Sequence, residues 1–171
     1  MTLYRNGMPK YNALQPMAIS LRPYQDYDRD FLFKLYASTR MDEIAPFGWP
    51  PVQQEAFLRM QFTAQQQWYS MSYAQAGHQI IEQDGVPIGR LMVSREKPAA
   101  VLVDIALLPE HRGKGIGGAL IRDLIRQCDQ QKLPLQLQVL KTNPALRLYE
   151  RLGFLRTAED QIYIQMERQP K

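Results

Sequence analysis

Residues 99–120 read AAVLVDIALLPEHRGKGIGGAL, and this stretch decides the fold. Ala99–Leu108 is apolar almost without interruption, which is how a strand covered on both faces reads, and Pro109 ends it. Helical spacing starts at Ile116 and continues through Ala119, Leu120, Leu124, Ile125 and Cys128 until Pro134 stops it; Leu135–Val139 then alternates as another strand. Strand, helix, strand is a crossover, so these two strands are expected to lie parallel in one sheet. Between the first strand and the helix stands Arg112-Gly113-Lys114-Gly115-Ile116-Gly117-Gly118. Glycines let backbone N–H groups approach a ligand without Cβ obstruction, and a helix N-terminus adds about half a positive charge. With Arg112 and Lys114 beside it, the loop is an anion cradle suited to a diphosphate.

Outward from this centre the pattern is mixed α/β. Ile19–Arg22 alternates as a first strand before Pro23, and Asp26 or Asp28 can cap a helix with Phe31, Leu32, Leu35 and Tyr36 on one face. Met41–Pro51, with Pro46, Gly48, Pro50 and Pro51, reads as a loop, and Val52–Gln67 as a second helix turning Phe57, Met60 and Ala64 inward. Gln79–Glu82 and Ile88–Val93 read as strands of a hairpin turned by Asp84-Gly85. Beyond the crossover, Asn143-Pro144 opens a short helix that Gly153 closes, and Leu155–Thr157 and Ile162–Met166 read as closing strands around Glu159-Asp160. Residues 1–16 lack periodicity and read as a loose arm, leaving 17–169 as one domain.

Composition narrows the class. A chain of 171 residues is one domain's length, and its 45% hydrophobic and 22% charged residues are those of an ordinary globular protein without a membrane-spanning run. One cysteine and two histidines are too few for a disulfide or a Cys/His zinc site, so no metal is expected. A cytoplasmic location fits that cysteine usage and the absence of an apolar leader in the first ten residues. The net charge of +4 is unevenly spread: residues 1–85 carry −1 and residues 86–171 carry +5. The basic residues are dispersed among acids, which argues against nucleic acid and for a small polyphosphate bound by the second half.

Three glycine-loop patterns compete at 112–118. The Walker A pattern fails, because no Gly-Lys-Ser/Thr closes the loop. Gly113, Gly115 and Gly118 satisfy Gly-x-Gly-x-x-Gly, but the strand after the helix ends at Leu140-Lys141 without an acid for a ribose, and too little chain remains for a dinucleotide fold. The third pattern, Arg-x-x-Gly-x-Gly, is met by Arg112, Gly115 and Gly117. On it, and on Asn143–Phe154 (NPALRLYERLGF) downstream, the sequence closely resembles the GNAT superfamily of acyl-CoA-dependent N-acyltransferases. The resemblance runs from about Ile19 to Glu167 and implies a single-domain GNAT fold. In that fold a mixed, bent sheet of six to seven strands is flanked by about four helices, with the coenzyme wedged where Ala99–Leu108 and Leu135–Val139 splay apart.

The resemblance also implies roles. Ile105, Ala106 and Leu107 would offer backbone groups to the pantetheine arm, the Leu107 N–H serving as donor to the thioester oxygen. Gly113, Lys114, Gly115, Ile116, Gly117 and Gly118, with Arg112, would hold the diphosphate. Asn143 would bond the pantetheine arm or cap its own helix. Tyr149 stands where the family places a proton donor to the departing thiolate, a role its ordinary pKa of ~10 suits. Asp104, unusual inside an apolar strand, is the candidate base or else a capped or paired strand-end acid. Asp42, Glu43 and Trp49, with Phe47, and Glu159 at the closing turn are candidates to attract a cationic acceptor. Cys128 reads as packing, His78 as structural, and His111 as a solvated loop residue.

The expected activity is transfer of acetyl from acetyl-CoA to a primary amine, on a small molecule or a protein, by direct attack in a ternary complex. The alternative is an acyl-CoA-sensing module with little catalysis. A homodimer is compatible with the resemblance; nucleic acid and membrane partners are not expected.

Overall fold

The computed structural model describes residues 18–171, so the arm expected over 1–16 lies outside the described residues. Seven strands form one sheet: β1 (Ile19–Pro23), β2 (Gly77–Gln83), β3 (Val86–Ser94), β4 (Ala100–Leu107), β5 (Leu135–Leu140), β6 (Leu155–Glu159) and β7 (Tyr163–Arg168), in the order β1-β2-β3-β4-β5-β7-β6. Every neighbouring pair is antiparallel except β4 and β5, the two ends of the crossover. The crossover helix α3 (Ile116–Gln131) and the short α4 (Leu146–Arg151) cover one face; α1 (Arg29–Ile44) and α2 (Pro51–Ser72) cover the other.

Local chemistry explains these elements. Asp84 and Gly85 take positive φ (51° and 79°) in the β2–β3 hairpin, the turn their dipeptide announces. Ahead of α1, Asp28 accepts the Gln25 N–H at 2.8 Å and is forked by Arg22, both contacts at 2.7 Å, while Arg22 Nε reaches Glu82 at 2.6 Å. One bidentate arginine thus ties β1, β2 and the start of α1 together, and Arg22 holds the Asp28 carboxyl below the usual carboxylate range.

Three details correct the sequence reading. Helix α1 runs to Ile44, so Asp42 and Glu43 sit on its last turn and not in a loop; Met41–Ile44 contain no breaker, and a proline interrupts a helix only near its own position. Pro50 and Pro51 occupy the cap and first position of α2, where a missing N–H costs no intrahelical bond, and α2 extends past Gln67 to Ser72. Its buried stripe is Leu58, Phe62 and Tyr69, whereas Met60 and Ala64 face solvent and Phe57 is half-buried.

The sheet separates two cores. Under α3 and α4, Leu91, Leu102, Ile121, Leu135, Tyr149 and Phe154 belong to one cluster; under α1 and α2, Leu35, Leu58, Phe62 and Ile80 belong to the other. Cys128 is buried in the first cluster, where burial pushes its thiol pKa up, in keeping with packing.

Candidate active site

The site begins where β4 leaves β5. The parallel pairing lasts only through Ala100–Leu135, Val101–Gln136 and Leu102–Leu137, after which β5 pairs with β7 alone. At the same level the β3 register jumps from Met92–Asp104 to Val93–Leu102, leaving Val103 as a bulge. A bulge bends its strand and raises the local twist, which carries β4 away from β5. Residues 103–107 are therefore half-exposed, not buried on both faces as the apolar run suggested.

Hydrogen bonding fixes which backbone groups line this opening. Leu108 N–H donates to Ile88 O at 2.9 Å, toward β3. Strand alternation then turns the N–H groups of Leu107 and Ile105 the other way, into the gap. Gly89 permits the close approach of β3 behind them: a Cβ there would collide with the Ala106 carbonyl oxygen and stand 2.7 Å from Leu107 Cδ2.

After Leu107 the chain makes one 3-10 turn (Pro109–His111) and enters the glycine loop. Gly113 and Gly115 have φ of 71° and 82°, a region that disfavours side chains, and nothing lies within 4 Å of where a Cβ would be. Gly115 O accepts the Ala119 N–H at 2.9 Å, so the first turn of α3 leaves its leading amides without intrahelical acceptors. Open space in front of unpaired amides, at the positive end of a 16-residue helix, suits an anion. Arg112 has protein partners of its own. Its Nε donates to Leu107 O at 2.8 Å and its Nη2 to Ser38 Oγ at 3.2 Å, so the guanidinium braces the end of β4 against α1. Lys114 is exposed at the loop.

Tyr149 lies on α4 in the cluster under α3 and α4, 6% exposed and edge-on to Phe154 (centroids 5.8 Å, 70°). Burial first, and the charge of Asp104 second, push its phenol pKa up to about 12, so it is protonated at neutral pH. Asn143 acts as a cap: its Oδ1 accepts the Ala145 N–H at 2.8 Å in the turn that leads into α4. That turn delays the helix proper until Leu146, two residues after the expected first position at Pro144.

Asp104 is ion-paired. Its Oδ2 takes a short bond from Arg90 Nη2, and the same nitrogen reaches Gln65 Oε1 on α2 at 3.3 Å. The Arg90 guanidinium stands 5.2 Å from the centroid of the Tyr69 ring, and Tyr69 is itself pushed far up by burial, with Asp104's charge adding to it. Arg90, 4% exposed, keeps Nε and Nη1 buried without a partner. From sequence, Arg90 has no assigned role, and Tyr69, with Trp68 and Tyr73, stands as a candidate for the acceptor side or a subunit contact. The available signal was a lone arginine in apolar β3 matching a lone aspartate in apolar β4.

The acceptor-side candidates are dispersed. Glu43 is exposed and paired with Arg40 at 2.9 Å; Asp42 is exposed beside it. Trp49 stacks on Phe47 (4.9 Å, 20°) and meets Phe57 edge-on at 5.2 Å, forming an aromatic cluster where α1 turns into α2. Glu159, at the end of edge strand β6, faces Lys141 at 3.5 Å and shares no hydrogen bond or ion pair with that cluster among the described residues. His111 Nδ1 is buried beside the loop without a partner. No group of three or more His, Cys, Asp or Glu among the described residues could hold a metal ion.

Comparison with known proteins agrees with this geometry. The model of the Acetyltransferase (GNAT) family matches residues 31–154. A relative from Bacillus subtilis (strain 168), provisionally named a ribosomal protein bS18-alanine N-acetyltransferase, is 32% identical over 81 residues, covering 46% of this chain and 53% of that protein. The chain thus matches about half the length of this curated relative. Among solved structures, the PaiA N-acetyltransferase of Thermoplasma acidophilum in complex with coenzyme A superposes with a TM-score of 0.68 at 19% identity, covering 90% of this chain and 99% of that one. The ribosomal-protein-S18-alanine N-acetyltransferase of Escherichia coli superposes at 0.61 with 18% identity, covering 89% and 94%. At such identities the two structures speak for the fold.

Proposed function

The chain belongs to the GNAT acetyltransferase family, and from that premise we propose that it transfers an acetyl group from acetyl-CoA to a primary amine by direct attack within one ternary complex. The observation that carries this reading is the parting of β4 from β5 after Leu102, with the Leu107 and Ile105 N–H groups facing the gap and unpaired amides at its mouth. The coenzyme bound to the Thermoplasma acidophilum protein of the same fold supports coenzyme A as the ligand here. Coenzyme A supplies an activated thioester; everything else falls to the chain's own residues.

The amides from Gly113 to Gly118 would hold the diphosphate, in front of a loop where no protein atom lies within 4 Å of a Cβ position at Gly113 or Gly115. Leu107 N–H would donate to the thioester oxygen as negative charge develops there, an interaction commonly worth ~3 kcal/mol to the transition state. Arg112, bound to Leu107 O, would hold this strand end at its angle. Tyr149 would donate a hydrogen bond, and at the end a proton, to the departing sulfur. Burial keeps the phenol protonated at neutral pH, so that proton is available when the thiolate leaves. The acceptor amine must lose a proton in exchange. Asp104 would receive it through water, because Arg90 already occupies its Oδ2. The acceptor named for the Bacillus subtilis relative, an alanine of a ribosomal protein, makes a protein amine one acceptor class to test alongside small amines.

The test is a thiol-release screen with acetyl-CoA over small amines and peptides, run with Tyr149→Phe. In the enzyme, the substitution lowers kcat about 100-fold, within the range for loss of one general acid, while coenzyme A binding measured by calorimetry stays unchanged. No release above background with any amine, or no heat of coenzyme binding, would overturn the proposal.

A further inference from the structure

A cavity of about 490 Å³ opens between the C-terminal half of α2, the start of α1 and the β2–β3 pair. We infer that it is a binding site for a small organic carboxylate with an apolar or aromatic body, separate from the coenzyme cleft.

Position separates the two. His78 on the cavity wall pairs with Met92, also on the wall, and Met92 pairs with Asp104. Leu107 lies three residues beyond Asp104, roughly 10 Å along the strand, and His78 lies two strands away, roughly 10 Å across. The space between holds Tyr69 and Arg90, both under a tenth exposed. The aromatic cluster of Phe47, Trp49 and Phe57 is at the opposite end of α2.

The lining chemistry chooses the ligand. Gln66 Nε2 and His78 Nε2 are buried without hydrogen-bond partners, and both residues line this cavity. An amide nitrogen can only donate, so its missing partner is an acceptor. Of the lining residues only Arg29 carries a charge, and no ion pair engages it among the described residues. No carboxylate lines the wall itself; of those nearby, Asp28 is forked by Arg22 and Asp26 acts on Tyr24, so the one charge the wall presents to a ligand is the Arg29 cation. Burial, with Arg90's charge adding, holds His78 down to about 4, so it offers a hydrogen bond at neutral pH and not a second cation. The rest of the wall is apolar or aromatic: Leu32, Phe62 and Met92, with Tyr69 and Tyr73, and Tyr24 stacked on His78 at 4.6 Å and 4°. An anionic head meets Arg29, and the two covered nitrogens reach it once the Gln66 and His78 side chains turn toward the cavity, while a flat or apolar body fills the remainder.

Calorimetric titration of the full chain with benzoate tests this, alone and with saturating coenzyme A, with benzyl alcohol as the uncharged control. The expected result is saturable benzoate binding that persists with coenzyme A present, exceeds that of benzyl alcohol, and weakens about tenfold in Gln66→Leu and in His78→Phe. Coenzyme A titrated into each variant verifies its fold. Three results would overturn the inference: no benzoate binding, competition with coenzyme A, or undiminished affinity in correctly folded variants.

Discussion

The two faces of the sheet are built from different materials at the same level of β4. On the α3–α4 side, Leu91, Ile105 and Leu107 meet Ile121 and Leu148 in hydrocarbon. On the α1–α2 side, the same stretch of strand presents Asp104 to Arg90, with Gln65 and Tyr69 closing around the pair. Hydrocarbon burial is non-directional and contributes roughly 25 cal/mol per Å², so the first face holds α3 and its glycine loop firmly without specifying angles. A buried ion pair contributes little net stability because both ions lose their hydration, but it fixes one geometry. One side thus carries the stability of the crossover, and the other sets the position of the strand end that must meet a reacting carbonyl.

The sharpest way to break this contrast is to cut the pair from one side. Arg90→Leu leaves the Asp104 carboxylate without its counter-ion and lowers unfolding stability by about 3–5 kcal/mol, the cost expected for orphaning one member of a buried pair. Asp104 is one-fifth exposed, which places the expectation at the lower end of that range. The double variant Arg90→Leu/Asp104→Leu recovers most of the stability in urea titrations, since hydrocarbon can replace a buried pair at little cost. Its acetyl transfer does not recover if Asp104 handles the amine's proton. Full recovery of both would show that the pair is packing alone.

The contrast also marks what the sequence could disclose. Strands, the crossover and the glycine loop were legible because their signals are local: a run, a period, a turn residue at a fixed offset. The splay was expected from the family resemblance and not from the residues themselves, since it depends on a bulge at Val103 that follows from β3–β4 register and leaves no residue pattern. Helix α2 was misphased because Phe57 and Met60 compete with Leu58 and Phe62 as apolar stripes, and only packing against the sheet chooses between them. Arg112 showed its charge but not its destination, which is the carbonyl of Leu107, five residues back. Arg90 and Asp104 were each visible as isolated charges, yet their pairing is tertiary information.

A smaller perturbation tests the strand end from behind without touching any charge. Gly89→Ala puts a methyl group against the Ala106 carbonyl, where backbone and not a flexible side chain must yield. Overpacking of this kind costs about 1–3 kcal/mol, and here the strain is relieved by pushing Ala106 and Leu107 toward the gap. Stability falls modestly, while kcat/KM falls about tenfold or more as the Leu107 N–H moves off its target. Coenzyme affinity changes less, because the diphosphate loop lies beyond the displaced residues. A loss of stability without any change in kcat/KM would remove Leu107 from the mechanism.

The smallest effect belongs to His78, on the charged face and within reach of the pair's charges but not bonded to either member. Its folded-state pKa of about 4 lies below the ordinary value near 6.5, so the unfolded chain binds a proton more readily than the folded one. Stability from keeping the ring neutral is complete above about pH 6.5 and is lost progressively as pH falls toward 4. The ring is only partly buried, and solvent screening reduces the effect to on the order of 1 kcal/mol. Asp28, held low by Arg22, adds its own loss only below the ordinary carboxylate range, near 3.8, so the interval between pH 6.5 and 4.5 isolates the histidine. Melting temperatures across that interval should decline in the parent chain and stay nearly level in His78→Phe, which preserves the stack on Tyr24 but cannot titrate. An equal decline in both would move the pH dependence to other groups and leave the hydrocarbon and charged faces indistinguishable in their response to acid.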